Sequence, residues 1–315
     1  NQRTMTNKIQ HFPSCLWRLL FLALPLAACT SEVTDEDLQG DASPIAFRTA
    51  EVTKAVVDDN NPMTEFSVWG WYGETSKTQV FNAQKVEYIG NAWTYSPYQY
   101  WRSGETYRFY ALYPTKETLA GDGCTASYSE TGALSITGFD ATKGHDLMTA
   151  QSDVMYGDNP AQVAFTFNHL LSRVNIRVIG EGGDVVISQA TLSGVKTKGD
   201  YNSNNAGNPW TLENASYSFE AKDVTATSIP SCLFAEDLLV QPQEVKDFTL
   251  SVTYSLAGFA GTQDSKSVTL PAGEIAQWES GKSYTYTLTL TNDYIFFSKP
   301  QVNAWGEGSG GIIIV

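Results

Sequence analysis

Tyr284-Thr-Tyr-Thr-Leu-Thr-Leu290 sets large apolar residues against threonine at every second position. A period of two belongs to a β-strand, whose successive side chains point to opposite faces. The pattern predicts a half-buried antiparallel strand with Leu288 and Leu290 on a core and Thr287 and Thr289 towards solvent. Working outward, the same alternation recurs in Phe248-Thr-Leu-Ser-Val-Thr-Tyr254, Val174-Asn-Ile-Arg-Val-Ile179, Tyr107-Arg-Phe-Tyr-Ala-Leu-Tyr113 and Phe66-Ser-Val-Trp-Gly-Trp-Tyr72. Between these runs stand clusters of turn residues, at Asp58–Pro62, Gly121-Asp-Gly123 and Gly199–Gly207. No long helical stripe interrupts them. Many short strands across two domain lengths predict an all-β chain of two β-sandwiches in tandem. The polar stretch Asp153–Pro160 is the candidate boundary, giving sandwiches over 45–160 and 161–315.

Composition narrows the function. The 315 residues are 42% hydrophobic and 17% charged, which describes a chain that folds rather than a disordered one. The 16 Tyr, 15 Phe and 8 Trp suit pleated, half-buried surfaces. A net charge of −14 argues against nucleic acid as partner, because phosphate binding needs a basic footprint. Three His leave little material for a His-based catalytic centre or metal site.

The first segment reads as an address. Met5 is a plausible start; Lys8, His11 and Arg18 form a mildly basic region before the apolar run Leu19–Leu26. That run is far short of the ~20 residues a spanning helix needs, and fits the core of a signal peptide over 1–28. Leu26-Ala27-Ala28-Cys29 resembles a bacterial lipobox, which makes Cys29 the lipidated first residue of the mature chain. The alternative is an ordinary signal peptide with an incidental cysteine. Removing 1–28 takes Arg3, Lys8 and Arg18 and no acid, leaving 17 basic and 34 acidic residues, net −17. Residues 29–44, with Asp35-Glu36-Asp37, read as an acidic linker that is either a solvated tether or similar to the surface-export signals of Bacteroidota lipoproteins. Cys15 leaves with the signal, so Cys124 and Cys232 remain, read as two separate thiols.

Chemical motifs are thin. Gly306-Glu-Gly-Ser-Gly-Gly311 has the bare spacing of a dinucleotide loop, but the helix that such a loop requires does not follow it. It reads as a glycine hinge. His145 and His169 lack a nucleophile elbow or clustered ligands, so each is expected to be structural, its ring bonding the backbone. No catalytic, cofactor or metal residue is assigned, and the chain is read as a non-enzyme. Trp93-Thr-Tyr-Ser-Pro-Tyr-Gln-Tyr-Trp101 is either a sugar-stacking platform or core packing.

Several stretches resemble one family in order along the chain. Tyr95-Ser-Pro-Tyr-Gln-Tyr-Trp101, Phe109-Tyr-Ala-Leu-Tyr-Pro114, Asp146-Leu-Met148, Phe167-Asn-His-Leu-Leu-Ser-Arg-Val174, Leu239-Val-Gln-Pro-Gln243 and Trp278–Leu288 are similar to segments of the fimbrillin-like proteins, the type V pilus subunits of Bacteroidales. The resemblance implies two transthyretin-like β-sandwiches, export as an outer-membrane lipoprotein, and polymerisation into a fimbrium by strand exchange in support of adhesion. It implies other pilin subunits and a trypsin-like maturation protease as partners, with attachment to the outer membrane through the lipid before cleavage. A host glycan or protein is a further candidate partner, and a monomeric glycan-binding surface lipoprotein is the alternative. Family members carry an Arg cleavage site near Ile45-Ala-Phe47; here Lys54 stands where the Arg is expected, and Arg48 is the second candidate.

The tail points the same way. Gln301-Val-Asn-Ala-Trp305 alternates, the glycines follow, and Ile312-Ile313-Ile314-Val315 is apolar and β-branched. Val302, Trp305, Ile312, Ile313, Ile314 and Val315 are the candidate donor-strand residues, suited to a neighbour's groove. The alternative is a last edge strand folded back on its own sandwich.

Overall fold

The computed structural model describes residues 43–49, 62–256, 264–270, 275–291 and 294–305. Cys29, the acidic linker up to residue 42, Lys54, the glycine run and Ile312–Val315 lie outside the described residues.

The described chain is nearly all β. The alternating runs become the strands Glu65–Tyr72, Thr106–Tyr113, Ser172–Gly180, Thr249–Leu256 and Lys282–Leu290. A short α-helix, Lys116–Gly121, is capped by Thr115, whose hydroxyl accepts the Thr118 N–H. No helix among the described residues is long and apolar enough to cross a membrane.

Four larger sheets enclose three cores. The first runs Asn168–His169, Met148–Gln151, Thr106–Tyr113, Glu65–Tyr72, Thr78–Ile89, Ala92–Thr94. Facing it is the sheet Trp210–Leu212, Lys198–Asn202, Leu134–Asp140, Thr125–Tyr128. Trp69, Tyr110 and Leu112 from one meet Tyr128, Ile136 and Tyr201 from the other in a common core. A second sandwich closes over Val178, Ile187, Leu192, Val252 and Leu288. Its sheets are built on Ser172–Gly180 with Lys282–Leu290, and on Val185–Val195 with Thr249–Leu256.

Three expectations change. Ser172–Gly180 and Lys282–Leu290 pair in parallel, not antiparallel, from Arg173↔Ser283 to Gly180↔Leu290. Alternation reports that one face is buried and says nothing of strand direction; the whole second sheet of this sandwich lies between the two strands in sequence, long enough for the crossover that parallel pairing needs. Glu65–Tyr72 is buried along both faces rather than half-buried. Phe66 and Val68 enter a third core with Tyr107, Phe109 and Ala111, on the side of the first sheet away from its partner sheet. Gly70 belongs there because a Cβ would sit 2.6 Å from the Phe109 ring. Finally, Lys198–Asn202 takes part of the expected turn at Gly199–Gly207, since Tyr201 pairs with Ile136 on one side and Trp210 on the other.

The stretch 153–160 carries the short strand Met155–Tyr156, paired with Tyr107 and Thr106. Strand pairing with the first sheet continues to His169, and pairing in the second sandwich begins at Ser172.

Candidate functional site

Ser43–Thr49 forms the lid of the third core. Ile45 and Phe47 point inward and are each 1% exposed, while Arg48, next after Phe47, is exposed. The backbone is held along both sides. Ile45 N–H donates to Gln99 O at 2.8 Å and Trp101 N–H to Ser43 O at 3.1 Å. On the other side Val163 N–H donates to Ala46 O at 2.8 Å, and Phe47–Thr49 runs parallel to Val163–Phe165. Two side chains complete the frame, the Tyr95 hydroxyl donating to Ile45 O and the Gln162 amide to Phe47 O, both at 2.8 Å.

Phe47 is the plug. Its ring centroid lies 5.4–6.5 Å from those of Phe66, Phe81, Tyr95, Phe109 and Phe165. Burying a Phe and an Ile side chain contributes ~1.5–3 kcal/mol each, so this short segment is held mainly by two residues. Taking it away leaves a trough floored by aromatic rings and rimmed by unpaired backbone groups of residues 99, 101 and 163. Arg48 lies within this paired segment.

The aromatic stretch 93–101 divides between core and surface. Tyr95 and Trp101 are buried, Trp101 packing edge-on against Tyr107 and Phe109. Tyr98 and Tyr100 are 56% and 47% exposed beside the lid, where Tyr100 forms a β-bridge with Pro44. With Trp93 packed on Phe66 at 4.7 Å, three of the five aromatics join the core and two face outward.

The histidines bond carboxylates rather than backbone. His169 Nδ1 lies 3.1 and 2.9 Å from the two oxygens of Asp146, both residues buried, and His145 Nε2 lies 2.9 Å from Asp122. Strand pairing of His169 with Met148 brings it beside Asp146, which the spacing in sequence did not reveal. Burial pushes the Asp146 pKa up, with the His169 hydrogen bond and charge opposing it. Cys124 is buried and Cys232 exposed, both free thiols; burial raises the Cys124 thiol to about 11.

The expected donor segment starts in the chain's own body. Gln301–Ala304 pairs antiparallel with Lys282–Thr285, placing Val302 opposite Tyr284. Trp305 N–H donates to Gly281 O at 2.7 Å, and its indole is 4% exposed, stacked on His169 at 3.9 Å and 3°. Val302 packs against the second sandwich core. For these two residues the structure has the folded-back arrangement, because Tyr284 and His169 supply their partners within the same chain. Donation of Val302 or Trp305 therefore requires stripping them from these contacts.

The remaining motif residues prove to be polar fasteners. Trp278 Nε1 donates to the Tyr286 hydroxyl at 3.0 Å, and the Tyr284 hydroxyl accepts the Glu279 N–H at 2.9 Å. Buried Gln241 donates to Thr197 O at 2.8 Å. Sequence reasoning missed the reach of Gln162 and Gln241; neither sits in a pattern that announces a buried amide.

A family model described as fimbrillin-like matches residues 53–305. Among solved structures the chain is similar to a fimbrial protein from Bacteroides vulgatus ATCC 8482, at 16% identity and a TM-score of 0.63, over 83% of this chain and 99% of that one. A provisionally assigned cell adhesion protein from Bacteroides uniformis ATCC 8492 shares 17% identity at a TM-score of 0.53, over 83% and 99% of the two chains. Another from Bacteroides ovatus ATCC 8483 shares 14% at 0.54, over 84% and 99%. No curated protein sequence matches. The structural likenesses speak for the fold, and the family match, which starts just after the lid segment and takes in every later strand, makes this chain a member of the fimbrillin-like family.

Proposed function

We propose that this protein is a structural or tip subunit of a cell-surface fimbrium, exported as a lipoprotein through Cys29 and polymerised by protease-triggered strand exchange. Membership of a fimbrial and adhesin family places it among proteins that associate with other pilin subunits at the cell surface. The finer steps are our reading. The two sandwiches form the body of the subunit. The first is completed by strands from the stretch 163–212, so the expected division at residue 160 gives way to strands shared across it. Cys29 holds the precursor at the outer membrane. A trypsin-like protease cuts after Lys54 or Arg48, the lid segment leaves, and a neighbour's strand takes its place.

One observation supports this most: a seven-residue segment carries two fully buried side chains into an aromatic trough, and the hydrogen bonds along its edges are all made through its own backbone. Such a strand is replaceable by another of similar alternation. Ile312, Ile313, Ile314 and Val315 have the apolar, β-branched character to fill it, whereas Val302, packed on the second sandwich core, and Trp305, buried in the first, are left out of the donated segment.

The test is limited proteolysis of the purified chain followed by gels of boiled and unboiled samples. Cut protein should give a ladder of oligomers stable until boiling, and uncut protein should stay monomeric. A monomer after complete removal of the lid would refute the strand-exchange reading.

A further inference from the structure

A cleft of about 850 Å³ opens where the hairpin of Lys198–Asn202 and Trp210–Leu212 meets the end of Val185–Val195 and the connection 242–248. That size falls within the ~300–1,000 Å³ of small-molecule sites. Trp210, Leu212 and Phe248 give it an apolar floor.

Its walls are built with care. The strand bulges between Leu192 and Val195, and Gly194 at φ +96° lies against the connection so closely that a Cβ would sit 3.1 Å from the Asp247 carbonyl. Asp247 itself holds φ +59°, a region that non-glycine residues seldom occupy and that concentrates at functional sites. Gln243 fastens the two walls together. Its amide nitrogen donates to Lys196 O at 2.8 Å and Gln241 O at 3.0 Å, and its oxygen accepts the Lys196 N–H at 3.0 Å.

The groups left facing the cleft are polar and of both kinds. Lys196 and Lys246 stand with Glu244, Asp247 and Glu279, and none of the five takes part in the ion pairs found among the described residues. Two positive against three negative groups leave the cleft close to neutral, in a chain of net charge −14. A polyanion or polycation gains little there. Asn208 and Gln277 add amides able to donate and accept. A ligand that matches carries adjacent hydroxyls, each both donor and acceptor, no net charge, and a modest apolar face.

We infer that this cleft binds a neutral oligosaccharide of a few rings, a binding site separate from the exposed Tyr98 and Tyr100 and independent of whether the chain polymerises. The test uses the full chain on an array of neutral oligosaccharides, with sialylated analogues and short peptides beside them, followed by titration calorimetry on the best neutral ligand. A saturable neutral ligand is expected. Gln277→Ala with Glu279→Gln, two exposed positions whose change leaves the core intact, should weaken it about tenfold or more, the loss of one or two hydrogen bonds, one of them to a charged group. Tyr98→Ala with Tyr100→Ala should leave it unchanged. The inference is overturned if no neutral oligosaccharide saturates, if only anionic sugars or peptides bind, if the cleft variant binds as well as the parent, or if the tyrosine variant loses binding instead.

Discussion

Phe47 concentrates the behaviour of the lid in one side chain. Its ring touches five others, and truncation leaves a hole that neighbouring strands cannot close. Phe47→Ala is expected to cost ~3–5 kcal/mol in urea denaturation of the uncut chain. Charge shows a different sensitivity at Asp140. Burial raises its pKa, but the hydroxyl and N–H of Thr142 and the Lys198 ammonium at 3.2 Å outweigh this and hold it below the ordinary carboxylate value. A lowered folded-state pKa gives stability that is complete above the ordinary value and fades as pH falls through the lowered one. Thermal melts of the parent and Asp140→Asn should therefore differ most near neutrality and converge on acidification. A gap that widens in acid would contradict this assignment. Residues such as these explain why the motifs were readable while their roles were not. Phe167–Val174 stands out in sequence, yet the pairing of His169 with Asp146 and its stack on Trp305 join points 23 and 136 residues away.

Among the elements, the tail strand Gln301–Ala304 divides the two accounts of the C-terminal segment. Its ladder with Lys282–Thr285 and the buried indole of Trp305 tie it to its own body. Removing residues 306–315 should leave the melting temperature unchanged and abolish the oligomer ladder of cut protein. Removing 301–315 should also destabilise the fold by roughly 3–5 kcal/mol, the usual cost of losing a buried tryptophan, read by the loss of near-ultraviolet circular dichroism on heating. Equal stability of the two truncated forms would show that the strand contributes nothing to its own sandwich. Strand existence was legible here because alternation marks any sheet with one buried face, as at Tyr284–Leu290. Direction and double burial were not. Parallel pairing of Ser172–Gly180 with Lys282–Leu290 depends on what lies between them, and the second buried face of Glu65–Tyr72 is covered by the lid, the 95–101 loop and the stretch 163–167, all distant from it in sequence. Pattern within a strand carries no information about a segment that arrives from elsewhere.

For the whole molecule, the lid and the tail are different surfaces, so a joint between them is heterologous rather than self-complementary. A contact of that kind does not saturate at a dimer; unless the rotation closes a ring, it propagates as an open filament. Each joint would replace the lid's two buried side chains and its edge hydrogen bonds with those of a longer strand, at ~1 kcal/mol per hydrogen bond and ~1.5–3 kcal/mol per apolar side chain. On the proposed reading the longer pairing makes exchange downhill, and the lid's covalent tether, by holding it at high effective concentration, keeps the uncut precursor from assembling. Cut protein is thus expected to form species of every size, monomer upward, with the mean length rising with concentration and no preferred dimer in analytical ultracentrifugation. A synthetic peptide of residues 306–315 added during cleavage should cap the troughs and shorten the distribution in proportion to its amount. The same peptide with Ile313 and Ile314 replaced by Asp should have no effect, because a charge buried among Phe66, Phe81 and Phe109 has no partner there. If both peptides shorten the filaments alike, the trough is not reading an apolar strand, and the groove assigned to the lid is not the acceptor.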